Sequence, residues 1–250
     1  MKWSSGGTAD EIGATMELAY QGAELESFAH ARRWKAYVRK ALHPYLAGDV
    51  LELGAGIGET TRALRPGSHA RSWTAVEPDP AMAEKIADAA RGGEFGENAA
   101  TLCGTQTDLP DAQRFDTALY VDVLEHIEDD RGELGGVAGR LRSGGRIVVL
   151  SPAYPFLYSE FDRAIGHFRR YTKAMLRQLA PPGMQVEAEF YLDGVGMLAS
   201  LANKAMLRQA QPSLRQVLFW DRVLVPVSRL LDPLTGRRFG RSVVTVWRKT

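Results

Sequence analysis

Apolar positions follow two rhythms along the chain. Over residues 24–43 they fall at Leu25, Phe28, Ala31, Trp34, Val38, Ala41 and Leu42, which predicts an amphipathic helix closed by Pro44 and Gly48. From residue 50 short apolar runs take over. Val50–Leu53, Ser72–Val76, Ala99–Cys103, Phe115–Val121 and Arg146–Leu150 read as strands. Thr60–Leu64, Pro80–Ala90 and Leu124–Leu141 read as helices between them, with turns at Pro66-Gly67 and Ser143-Gly144-Gly145. Strands that do not alternate are covered on both faces, and intervening helices make right-handed crossovers between parallel strands. The pattern predicts an α/β fold with a doubly wound, mostly parallel sheet.

Beyond Leu150 the rhythm changes. Residues 151–171 are aromatic, basic and irregular. Thr172–Leu179 predicts a short helix, Met184–Leu192 a strand and Ser242–Trp247 a last strand. Residues 193–238 predict two helices, the second starting near Ser213 and interrupted by Pro226. The sum is a seven-stranded sheet with an N-terminal helix and a helical cap inserted before the last strand. Residues 1–23 read as a flexible lead-in and 24–250 as a single domain.

Composition narrows the field. At 250 residues a core can form without cross-links. The net charge of +1 gives no global field toward nucleic acid or anionic lipid, so no nucleic-acid partner is expected. The single cysteine, Cys103, cannot close an internal disulfide, which fits a reducing compartment and a cytoplasmic location. No apolar run is long enough to span a bilayer; peripheral membrane contact by the apolar stretch Leu214–Leu231 stays open, with packing of that stretch as lid or core preferred. A monomer and a homodimer are equally compatible with the chain. No metal-ligand cluster stands out, so no metal is expected.

The richest chemistry lies in Glu52-Leu53-Gly54-Ala55-Gly56-Ile57-Gly58-Glu59-Thr60. A strand runs through glycines into a helix, the arrangement that brings backbone N–H groups close to a ligand. A dinucleotide fingerprint would need a small residue where Glu59 stands, which counts against a nicotinamide-binding oxidoreductase. Glu52 suits a ligand carrying positive charge. Glu77, 23 residues after Gly54 at the end of the second strand, suits a bidentate grip on a ribose diol.

Together with Val76-Glu77-Pro78-Asp79, Phe115-Asp116, Val123-Leu124-Glu125-His126-Ile127 and Leu141-Arg142-Ser143-Gly144-Gly145-Arg146, this stretch resembles the class I S-adenosylmethionine-dependent methyltransferases across residues 50–150. The resemblance implies a Rossmann-like methyltransferase fold, with S-adenosylmethionine as cofactor and S-adenosylhomocysteine as product. It implies that Glu52, Gly54, Ala55, Gly56, Gly58 and Thr60 surround the methionine end and that Glu77 and Pro78 hold the ribose. Thr105, Gln106 and Asp108 would flank adenine, although the family's usual acid there falls on Thr105. Asp122 and Val123 would lie beside the methionine ammonium, and Arg33 could meet the methionine carboxylate.

The segment Asp162-x-x-x-Gly166-His167-x-Arg169-Arg170-Tyr171 resembles a bacterial subgroup of the same superfamily, and it follows the fifth strand's carboxyl end, where ligands of open α/β sheets bind. Methyl transfer to a hydroxyl needs alignment and loss of a proton. His167 is the candidate general base or acceptor-orienting group, with Asp162 fixing its tautomer, Tyr171 lining the pocket and His126 nearby. Tyr158, Arg169 and Arg170 are candidate contacts to an anionic acceptor. The bland reading of the same charges is an ion-pair network that anchors a loop. The expected function is methyl transfer to a small-molecule acceptor in biosynthesis, at an oxygen of an anionic or natural-product-like substrate. N- or C-methylation of a small or lipid-linked acceptor, an oxidoreductase, and a non-catalytic cofactor-binding protein are the alternatives.

Overall fold

A computed structural model describes residues 28–206 and 213–250. The lead-in expected over residues 1–23 lies outside the described residues. Seven strands form one sheet: β1 (Ala47–Leu53), β2 (His69–Glu77), β3 (Ala99–Cys103), β4 (Phe115–Val121), β5 (Leu141–Pro152), β6 (Met184–Leu192) and β7 (Ser242–Lys249). Their order is 3-2-1-4-5-7-6. β1 to β5 pair in parallel, and β7 runs antiparallel between β5 and β6. The order reverses between β1 and β4, and a crevice opens at such a switch point beyond the strands' carboxyl ends.

The helices are α1 (Arg32–Leu42), α2 (Glu59–Leu64), α3 (Pro80–Arg91), α4 (Asp130–Gly139), α5 (Glu160–Ala164), α6 (Lys173–Gln178), α7 (Gly194–Met206), α8 (Leu214–Phe219) and α9 (Val225–Leu234). Neighbouring strand residues feed different cores. Val50, Leu119 and Val148 join one, and Leu51, Ala118 and Val149 the other. Both faces are therefore covered, which is why the strands carry no polar alternation.

Three sequence expectations are modified. The helix read over Leu124–Leu141 breaks into a short 3-10 turn, Leu124–His126, and α4, because Asp129 turns back to accept the Gly132 N–H at 2.9 Å. The glycines of residues 143–145 lie inside β5 as an irregularity, with Gly144 at φ 77°. Pro226 does not interrupt its helix. A π-helical turn, Trp220–Leu224, links α8 to α9, with Pro226 in the first turn of α9, where a missing N–H costs least.

The cap is tied to α1 by buried polar contacts. The Trp34 N–H donates to Asp221 (2.8 Å), and the Tyr37 hydroxyl donates to Asp232 (2.7 Å). Asp193 accepts from Trp220 Nε1 (2.7 Å) and the Ser228 hydroxyl (2.6 Å). Trp34 and Trp220 rings meet at 5.5 Å. These contacts hold α1 and the cap together over the carboxyl ends of β1 and β4.

Candidate functional site

The loop after β1 turns through three glycines with positive φ: Gly54 (66°), Gly56 (57°) and Gly58 (82°). A Cβ on Gly54 would sit 2.6 Å from a Val123 methyl, and one on Gly58 would sit 2.8 Å from Ile86. Conformation and space both require glycine at these two positions. At the end of β2, the Glu77 carboxylate accepts the Gly56 N–H (2.7 Å) and the Asp79 N–H (2.9 Å). Burial raises the Glu77 carboxyl above its ordinary value, and the two N–H groups work against that rise. A carboxylate has about four lone-pair sites, so two remain for a diol.

Several expected contacts are redirected by the fold. Glu52 is buried behind the glycine loop, where its Oε2 accepts from Thr61 (2.5 Å) and Trp73 Nε1 (2.6 Å). It faces away from the cavity, and Asp122 at the end of β4 is the carboxylate presented there. Gln106 is buried beneath α4 with Arg140, and Asp108 closes a capping box on the Thr105 N–H (2.7 Å). Thr105 is the N-cap of the same box, its hydroxyl accepting the Thr107 N–H at 3.3 Å, so all three adenine candidates have side chains engaged within the fold. Val123 packs under Gly54, and Pro78 stays outside the cavity wall.

A cavity of about 1050 Å³ opens above β1 and β4. Gly54, Ala55, Gly56 and Thr60 line it, as do Asp122, His126, Tyr158, Asp162, His167 and Arg170. Trp34, Val38, Leu157, Phe161 and Trp220 supply apolar lining.

His167 Nδ1 lies 2.9 Å from Asp162 Oδ1, and the Tyr158 hydroxyl donates to the His167 carbonyl at 2.7 Å. Burial lowers the pKa of His167, opposed by the bond to Asp162. Burial alone would raise Asp162, yet His167 and Arg170 hold it well below the usual carboxylate range. His126 stands edge-on to His167 with ring centres 4.5 Å apart, and burial together with that neighbour lowers its pKa strongly.

Three residues depart from their expected roles. Arg169 binds Asp130 (2.6 Å) and the Glu128 carbonyl (2.8 Å), away from the cavity. Tyr171 is fully buried, its hydroxyl donating to Asp130 at 2.8 Å. Arg33 reaches the Arg222 carbonyl at 3.4 Å, four residues before Pro226, whose missing N–H leaves that oxygen open. Arg170 reaches the cavity but grips Asp162 through two bonds, 2.8 and 3.0 Å.

Neither Arg241 nor Glu125 is among the site residues expected from sequence. Arg241 enters the cavity from the start of β7, stacked 4.3 Å over Trp220. Glu125 is fully buried, with no hydrogen-bond partner on either carboxylate oxygen. Its position after Val123-Leu124 and beside His126 was the available signal.

Residues 51–147 match the sequence profile of the family described as a methyltransferase domain. That match spans less than half of the chain. This domain implies S-adenosylmethionine as the cofactor. Over 155 residues the chain is 27% identical to a demethylmenaquinone methyltransferase of Tropheryma whipplei, a match covering 62% of this chain and 60% of that relative's length. Solved structures share the fold. A chain from the complex of the Haloferax volcanii Trm112 methyltransferase activator with a methyltransferase aligns at a TM-score of 0.63, 18% identity, 97% of this chain and 99% of the other. The mitomycin 7-O-methyltransferase MmcR aligns at 0.60, 14% identity, 96% of this chain and 59% of the other. A Clostridium acetobutylicum S-adenosylmethionine-dependent methyltransferase aligns at 0.54, 12% identity, 87% and 91%.

Proposed function

We propose that this chain transfers a methyl group from S-adenosylmethionine to an oxygen of a small, partly apolar, anionic acceptor. One observation carries the reading: the glycine loop and the Asp162-bound His167 line one and the same cavity. The residues present fit the cofactor. Glu77 keeps free lone pairs for the ribose hydroxyls, Gly54 to Gly56 leave room for the amino-acid tail, and Asp122 faces its ammonium end. Bound there, S-adenosylmethionine supplies a sulfonium-activated methyl whose departing thioether needs no acid.

The protein's own part is positioning and proton removal. Asp162 holds the Nδ1 side of His167, which leaves Nε2 as the nitrogen free for proton removal or for orienting the acceptor. Arg241, with Arg170 beside it, supplies positive charge for an anionic group on the acceptor. Residues 151–171 serve as the acceptor-side segment and 193–238 as the cap of a single domain. Release of S-adenosylhomocysteine across an acceptor panel tests the reading. His167→Ala should abolish turnover and spare S-adenosylhomocysteine binding; unchanged turnover removes His167 from the chemistry. Absence of any binding of S-adenosylmethionine sinks the assignment as a whole.

A second reading is N- or C-methylation of a lipid-linked acceptor. The cap exposes Leu214, Phe219, Val223, Leu230 and Leu234, with exposed Arg215, Arg222 and Arg229 among them. Its buried side carries Val217, Trp220 and Val225 together with Asp221, Ser228 and Asp232. A demethylated quinone of the kind named for the Tropheryma relative would reach such a site from a bilayer. Sedimentation with anionic liposomes decides; a protein left wholly in the supernatant dismisses the lipid-linked route.

A further inference from the structure

We infer that Glu125, His126 and His167 form a binding site for one first-row divalent metal ion, with zinc the best fit. Each residue offers one donor atom, and these atoms all lie within 4.8 Å of one another. His167 Nε2 is 3.8 Å from Glu125 Oε1, close to the spacing that two ligands of one tetrahedral ion adopt.

Three independent features aim these donors at a cation. Neither Glu125 oxygen has a hydrogen-bond partner although the residue is fully buried, and His126 Nδ1 is likewise buried and unpartnered. Unpaired buried polar groups are rare, and a buried carboxylate without a partner is costly. The cation whose field reaches it is already engaged. Arg170 is bound to Asp162, and Arg241 lies 3.8 Å from Asp193. Finally, His167 Nδ1 already faces Asp162, so the proton is fixed there and the Nε2 lone pair points to Glu125. A carboxylate behind a histidine in this way is the usual support of a metal-binding imidazole.

Two imidazoles and one carboxylate suit zinc, iron(II) or manganese(II) better than magnesium or calcium, which prefer all-oxygen shells. Three protein ligands leave at least one position open, and here that side faces the cavity. A water or acceptor hydroxyl occupying it would become more acidic. The inference deepens the proposed function and rests on it only at that last point: His167 would then orient the acceptor through the ion. Metal binding itself does not depend on methyl transfer.

The test uses the full chain, stripped with chelator and titrated by calorimetry with zinc chloride and, separately, magnesium chloride. One equivalent of zinc should bind, with magnesium at least a hundredfold weaker. His126→Ala and His167→Ala should each weaken zinc at least tenfold, as should Glu125→Gln, and the exposed Cys103→Ser should not. Cobalt(II) loading of the wild type should give visible absorption that His126→Ala removes, a readout independent of turnover. Circular dichroism and S-adenosylhomocysteine binding, run in parallel, show whether each variant is folded. No stoichiometric zinc in the wild type, or zinc unaffected by either folded histidine variant, overturns the site. Zinc binding without S-adenosylhomocysteine binding would overturn the cofactor reading and leave the metal site standing.

Discussion

The Asp162 carboxylate holds two groups at once: His167 Nδ1 at 2.9 Å and the Arg170 guanidinium at 2.8 and 3.0 Å. It also accepts the Ser159 N–H at 2.8 Å, so one fully buried side chain closes α5 and sets a cavity-facing ring.

Removing that charge should be felt in both stability and turnover. Asp162→Asn leaves the Arg170 cation without its partner, and breaking a buried pair costs about 3–5 kcal/mol. Turnover should fall on the order of a hundredfold, because His167 loses its fixed tautomer. Urea unfolding and single-turnover rates measure the two effects. An Asp162→Asn protein with unchanged unfolding midpoint and rate contradicts both.

Glu77→Gln addresses the cofactor end. The Gly56 and Asp79 N–H groups bond to different carboxylate oxygens, so the amide keeps an acceptor for one of them and loses the charge that strengthens bonds to a diol. Hydrogen bonds to charged groups contribute about 1.5–3 kcal/mol. The Kd for S-adenosylhomocysteine should therefore rise roughly tenfold to a hundredfold by calorimetry. An unchanged Kd means that no ribose is held there.

Glu52 predicts a pH effect on folding. Burial, only partly offset by Thr61 and Trp73, pushes its carboxyl up from 4.5 to about 7. The folded state therefore binds this proton more tightly than the unfolded chain. The stabilisation is complete below the unfolded value and is lost as pH rises through about 7. The difference corresponds to about 3 kcal/mol at one pKa unit per ~1.4 kcal/mol. Glu52→Gln should flatten the fall in unfolding free energy between those limits; parallel profiles for variant and wild type refute the assignment.

Gly54→Ala tests the loop. It would force a side chain into φ 66° and into the Val123 methyls at 2.6 and 2.7 Å. A loss of about 1–3 kcal/mol is expected. Adding Val123→Ala should recover the steric part and leave the backbone part. Strictly additive losses in the double variant would show that the two residues do not meet.

The sheet was legible before the structure because its causes are local. Unbroken Val, Leu and Ile runs, glycine turns and helical spacing are written in neighbouring residues, and β3, β4 and β6 end where their apolar runs end. The break at Asp129 and the intact helix at Pro226 were not legible. The first depends on Asp129 accepting the Gly132 N–H, and the second on a π-helical turn that leads into a helix with Pro226 in its first turn.

The candidate site divides the same way. Local sequence by itself determined the glycine loop, because φ sign and side-chain size are properties of single residues. It also determined the nearness of Asp162 to His167, five residues apart across one short helix. Only tertiary structure decided that Glu52 turns inward to Trp73, that Arg169 pairs with Asp130, and that Arg241 enters the cavity. Only tertiary structure brought Glu125 and His126 beside His167, 42 and 41 positions along the chain. The direction and partner of a long charged side chain depend on the field and packing of distant elements. Such information is absent from the residue's own neighbours.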